Sequence, residues 1–184
     1  MRKLLFITLL VLPVFVFGEV DTDGDASEAA EFHFVIPEIV GIEISTDPVE
    51  WDFSTMAGFP PDPFSLPEYY EPTTPAARPH QTIDYLVWGF GNSSSWQVTV
   101  AGDADPAPAC GILLGDIEYA EDDGAGNLTS GWMAFTTTDA AIQTGSANTG
   151  GWATMYQDYQ VNITGDETYT TDSYCTITYT IQTL

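Results

Sequence analysis

Cys175-Thr176-Ile177-Thr178-Tyr179-Thr180-Ile181-Gln182 alternates without a break between apolar and polar side chains. A repeat of two places Cys175, Ile177, Tyr179 and Ile181 on one face and the threonines on the other. That is the mark of a half-buried strand, and threonine fits the pleated state. Working backward, Tyr159, Val161 and Ile163 alternate with Gln160 and Asn162, and Gly165-Asp166-Glu167 turns the chain between the two runs. Trp96, Val98 and Val100 repeat the pattern. Thr82–Phe90 is apolar on both faces, as a covered central strand is, and Gly91-Asn92-Ser93-Ser94 makes Trp96–Val100 its expected hairpin partner. Ile112–Tyr119 and Trp132–Thr137 read as further strands, Glu121-Asp122-Asp123 onward as a turn, and Thr138–Gln143 as one helical turn.

Nearer the N-terminus, Phe32, Phe34 and Ile36 alternate, followed by Ile39, Val40, Ile42 and Ile44, and then Val49, Trp51 and Phe53. Residues 56–81 differ. Pro60, Pro61, Pro63, Pro67, Pro72, Pro75 and Pro79 fall there, and no regular element survives that density. Phe59, Phe64, Leu66, Tyr69 and Tyr70 suggest that this stretch packs on something: it is either a cover for its own sheet or a partner-facing surface. About nine short strands without a long helix give an all-β fold, a single β-sandwich of mostly antiparallel strands over residues 32–184 with a Pro-rich long loop.

Arg2 and Lys3 precede the apolar run Leu4–Phe17, and Val16-Phe17-Gly18 closes it with a small residue. This is an export signal over residues 1–18, followed by a flexible acidic leader, 19–31. Its removal leaves 166 residues, enough for one domain. The expected location is extracellular, at the cell surface. Past Gly18 the only Lys or Arg is Arg78, against 27 Asp and Glu, a formal charge of 1 minus 27, or −26. Nucleic acid and anionic membrane surfaces are excluded as partners on that sign. No second apolar run is long enough for a membrane helix, so no membrane contact is expected after cleavage. Arg78 is followed by Pro79, which leaves trypsin-like proteases almost no site.

Cys110 and Cys175 are the two cysteines. An even pair in an oxidising compartment reads as a disulfide. It would close a loop of roughly 65 residues, worth about 4 kcal/mol by chain entropy. A metal pair or a catalytic thiol lacks nearby ligands or a base.

Asp21, Asp23 and Asp25 alternate like the start of a Ca²⁺ loop, but Ala26 and Phe32 stand where that loop needs Gly and Glu. Glu121, Asp122 and Asp123 could hold a cation at a loop tip. No cofactor is expected; Ca²⁺ enters only as a structural or screening ion. Asn92, Asn127 and Asn162 fit the glycosylation acceptor pattern. Trp152, Tyr69 and Tyr70 are candidates for stacking on a glycan, whereas Trp51 and Trp96 fall in the apolar register and read as core. His33 and His80 are the only histidines, and neither a Gly-x-Ser-x-Gly turn nor a zinc spacing is present. The reading is not an enzyme.

The runs Val35–Ile44, Val49-Glu50-Trp51-Asp52-Phe53, Ser95–Val100 and Tyr174–Ile181 resemble a broad group of secreted bacterial and archaeal β-sandwich surface proteins. That group includes fimbria-like filament subunits and wall domains of the WxL type. The Trp-x-Leu signature is only approached, at Trp88-Gly89-Phe90 and Trp96-Gln97-Val98. The resemblance implies a structural subunit whose partners are copies of itself or other surface proteins. Assembly would proceed by strand addition, with Glu31–Ile44 or part of it as donor and Phe32, Phe34, Ile36, Ile39, Ile42 and Ile44 filling a groove; the alternative for this segment is pairing within its own sheet. The alternative is a module that binds extracellular polysaccharide or cell wall.

Overall fold

The computed structural model describes residues 38–45, 48–89, 95–168, 170 and 172–184. All of them belong to the compact unit Pro37–Leu184. The export segment, the acidic leader with Asp21, Asp23 and Asp25, the donor positions Phe32, Phe34 and Ile36, and Asn92 lie outside the described residues.

Among the described residues nine strands follow one another: β1 (Ile39–Ile44), β2 (Glu68–Tyr70), β3 (Gln81–Trp88), β4 (Trp96–Gly102), β5 (Ile117–Asp122), β6 (Met133–Ala134), β7 (Ala140–Gly145), β8 (Ala153–Ile163) and β9 (Ile177–Thr183). They form two sheets, and every pairing is antiparallel. The larger runs β1-β3-β8-β5-β6, with β2 also on β8, and the smaller runs β7-β4-β9. The 11-residue β8 is the spine of the larger sheet. Its first half pairs with β3, its last three residues with β2, and its middle and far end with β5. The period of two explains the choice of faces: Gln157, Tyr159, Val161 and Ile163 are buried on one side, and Ile83, Tyr85 and Val87 of β3 share it.

Side chains of the two sheets meet. The rings of Tyr85 and Trp96 lie 5.4 Å apart, and Gln143 Nε2 donates to Tyr85 Oη at 3.4 Å. Phe135 N–H donates to Ile117 O of the larger sheet, while the next carbonyl, Thr136 O, accepts Gly102 N–H of the smaller. One short segment therefore ties β5 to β4. Gly145 is glycine for a reason of space, because a Cβ there would stand 2.3 Å from the Trp96 ring.

Several expectations are corrected. The Cys110–Cys175 disulfide is absent, and both are free thiols. The chain near them is held by hydrogen bonds instead: Ala107 and Tyr174 exchange two backbone bonds, Thr168 N–H donates to Cys110 O, and Ser173 Oγ donates to Pro108 O. β4 is not the hairpin partner of β3. Both edges of β3 are taken by β1 and β8, so β4 pairs in the other sheet. Thr138–Gln143 is not helical; the edge of β4 captures its last four residues, from Ala140, as part of β7. Val49–Phe53 forms no strand beyond an isolated bridge at Glu50, because Asp52 turns the chain by accepting both Ser54 N–H and Ser54 Oγ–H. Ile112–Tyr119 opens on a 3-10 turn, Leu114–Asp116, bonded through Asp105 and Asp116 carboxylates. The Pro-rich segment does carry one short strand, β2.

Candidate functional site

Among the described residues β1 is the edge of the larger sheet. Its six residues pair in unbroken register with β3, from Ile39 opposite Trp88 to Ile44 opposite Ile83. Val40, Ile42 and Ile44 therefore share a face with the buried Val87, Tyr85 and Ile83. Ile42 packs against the core, yet Val40 and Ile44 remain 39% and 37% exposed. No residue of β1 is buried. The ladder closes at Ser45, whose N–H donates to Thr82 O and whose Oγ accepts Thr82 N–H. The structure thus places Ile39, Ile42 and Ile44 within the chain's own sheet, at its rim.

A second constellation was not anticipated from the sequence. β5–β8 pairing puts Ala120 opposite Asp158 and Asp122 opposite Tyr156. Asp158 and Asp122 therefore lie on the same face, the one away from Tyr159. That face is covered by the chain leading into β3. Arg78 reaches from it to Glu71 and to Asp158, with Nε 3.3 Å from Oδ2, and lies 5.7 Å from the centre of the Trp132 ring. His80 N–H donates to Asp158 Oδ1 at 3.2 Å, and Tyr159 N–H donates to His80 Nδ1 at 3.1 Å. The Asp158 side chain is 0% exposed. Burial pushes its carboxyl up to about 6, against the opposing pull of the His80 N–H and of Arg78. Burial likewise holds the His80 imidazole below its ordinary value. Because Nδ1 accepts a hydrogen bond, the ring is neutral and its proton sits on Nε2. One signal could have exposed this cluster: past Gly18 the chain has a single cation, and a lone arginine among 27 acids finds one.

The remaining candidates are scattered. Strand alternation sends Glu121 and Asp122 to opposite faces, so Glu121-Asp122-Asp123 does not converge. Asp122 Oδ1 caps Gly124 and Gly126 N–H, and Asp123 caps Ala125 and Asn127. Among the described residues no group of three or more His, Cys, Asp or Glu is placed to hold a metal ion. Trp152 is 54% exposed and rests its ring near Gly41. Tyr69 is 50% exposed but pairs with Asn162. At about 3.3 Å per strand residue the two aromatics lie roughly 30 Å apart. Tyr70 is buried, edge-on to Phe53 and Phe59, and is core rather than a stacking residue. Trp96 is core as expected, donating Nε1–H to Ala147 O. Asn127 is exposed and donates to Asp123 Oδ2, whereas Asn162 sits inside the β2–β8 ladder.

Comparison with protein-family models, curated proteins and solved structures finds no match to this chain.

Proposed function

We propose that this chain is an exported structural subunit whose two sheets close as a β-sandwich and which assembles with copies of itself through exchange of β1. The product is an extracellular filament or surface layer. One observation carries the reading: among the described residues β1 is an edge strand with a complete six-residue register, yet none of its residues is buried. A strand seated this way leaves the buried set to other segments. An identical strand from a neighbour can replace it with the same main-chain bonds, which is the economy of domain swapping and strand addition. The role is non-catalytic.

Charge opposes assembly. Exported copies, at 1 minus 27 or −26 once residues 1–18 are removed, repel one another, and contact needs screening, whose range shrinks to about 10 Å at 0.1 M salt. Ca²⁺ serves here as a screening ion. The exposed aromatics favour a glycan module less, since Trp152 and Tyr69 form no common row.

The test is a cysteine pair, Glu43→Cys with Asp84→Cys, at directly opposite positions of β1 and β3. Oxidised after incubation with and without Ca²⁺, the exchanged form gives a covalent ladder on a denaturing gel, and filaments appear by negative-stain microscopy. A single intrachain product, with monomers by light scattering at every ionic strength, sinks the proposal.

A further inference from the structure

β1 and β3 send alternate residues away from the core, and three successive outward rungs make one surface. Ile39 stands beside Trp88, Gly41 beside Leu86, and Glu43 beside Asp84. Rungs of one face are about 7 Å apart. Ala153 pairs with Tyr85, so Trp152 enters at the level of Leu86. Its indole reaches across β3 to Gly41, where a Cβ would meet Cη2 at 3.0 Å. Glycine at 41 therefore lets the ring lie along the sheet. The loop that delivers the ring is pinned to β3: Thr149 N–H donates to Val87 O, and Thr149 Oγ1 accepts Val87 N–H. Held in this way, Trp88 and Trp152 are still 56% and 54% exposed.

At the third rung two carboxylates oppose each other directly. Cβ atoms of such a pair lie about 5 Å apart, and like charges there are destabilising. Thr154 Oγ1–H satisfies one oxygen of Asp84. Among the described residues no cation relieves the pair: residues 38–184 contain no lysine, and Arg78 is held by Glu71 and Asp158. The geometry points to this face as the docking site for an arginine-bearing segment of another protein, its guanidinium between Glu43 and Asp84 and its apolar part on Trp152 and Trp88. Charge complementarity selects the occupant. A second copy of this chain brings no free cation and adds further carboxylates. A glycan would stack on the rings but leave the two acids opposed. Arginine answers both features, because its planar group pairs with carboxylates and stacks on indole. The surface is the flat of the ladder, not its edge. It persists whether β1 is the chain's own or a neighbour's, so the inference does not rest on strand exchange.

The test is NMR titration of the isotope-labelled full chain with tetra-arginine amide at about 0.15 M salt, following the indole N–H signals. Those of Trp88 and Trp152 should shift, with a dissociation constant on the order of 1 mM. Those of Trp51 and Trp96, committed to Tyr70 O and Ala147 O, should stay in place. Tetra-lysine amide, equal in charge, should bind about threefold more weakly. Trp152→Ala should weaken tetra-arginine about fivefold. Glu43→Gln with Asp84→Asn should weaken it about tenfold without lowering the thermal midpoint, since a repulsion is removed. Asp139→Asn with Asp172→Asn removes the same charge from exposed positions ahead of β7 and β9 and should leave binding unchanged. Equal weakening by the two acid pairs overturns the proposal, as does equal affinity for the two peptides. Shifts of both indoles with cellohexaose but not tetra-arginine, or on raising the protein concentration alone, assign the face to a glycan or a second copy instead. Silence of both indoles toward every probe at tens of millimolar shows the face to be closed and also overturns it.

Discussion

The hydroxyls of Tyr159 on β8 and Tyr179 on β9 stand 2.7 Å apart, one from each sheet. Tyr159 Oη is also 2.7 Å from Gln81 Oε1, and Tyr179 Oη donates to Gln157 Oε1 at 2.5 Å. The two phenols thus link β3, β8 and β9 through one buried polar knot. Burial pushes both phenols up, so neither ionises in the ordinary pH range. A knot of this kind fixes how one sheet lies against the other, because any slip strands several polar atoms at once.

Removing one member should be costly. Tyr159→Phe leaves Gln81 Oε1 without its donor and Tyr179 without its neighbour, an expected loss of about 2 kcal/mol. Tyr179→Phe should cost about 1 kcal/mol. Urea unfolding of the singles and the double should show a coupling of about 1 kcal/mol rather than additivity. Strict additivity would show that the hydroxyls act separately.

The pH dependence follows from Asp158. Its folded value, about 6, lies above the ordinary 3.8. Its contribution is therefore fully present below pH 3.8 and is lost as pH rises through about 6. Asp52, Asp103 and Asp123 have the opposite sign. Hydrogen bonds from Ser54, Thr176 and Asn127 hold them below 3.8, so what they add is present above that value and lost on acidification. The thermal midpoint should peak between pH 3.8 and about 6, and Asp158→Asn should flatten the fall on the alkaline side. An unchanged slope in that variant would remove Asp158 as its source.

Gly145→Ala tests the closest approach in the smaller sheet. The added methyl would lie 2.3 Å from a buried Trp96 ring that is pinned by its bond to Ala147 O. Overpacking of this kind costs about 1–3 kcal/mol. Chemical denaturation monitored by tryptophan emission reads the loss. A variant as stable as the parent would mean that the ring can move aside.

The thiols give a fourth check. Cys110 is buried. Burial raises the Cys175 thiol, and the carboxylates of Asp103 and Asp105 raise it further. A thiolate is the reactive form, so iodoacetamide at pH 8 should modify the native chain slowly. Unfolding without reductant should then release two reactive groups per chain, and a count below two contradicts the dithiol state.

The strands that could be read directly were those whose own residues decide the matter. β8 and β9 alternate strictly, and β3 is apolar enough to stay covered. β7 was obscured because its identity is set by a distant partner: Ala140–Gly145 is strand because β4 has a free edge, whereas Met133 and Ala134 of β6 fall within the run Trp132–Thr137 that reads as a strand. The assignment of Trp96 to a hairpin failed for the same reason, since nearness in sequence says nothing about which edges are vacant. The Arg78–Asp158 contact joins residues 80 positions apart across a covering segment. No local pattern announces it. Tyr69 and Tyr70 show the limit of composition, since adjacent residues of one type take opposite fates on a pleated strand.

Arg78 is folded in among Glu71, Asp158 and Trp132, and residues 38–184 contain no lysine. Amine-directed dyes consequently have no lysine to react with on any of the described strands. Carboxyl groups, of which its surface has an abundance, offer another handle for covalent capture once activated and bridged by an added diamine.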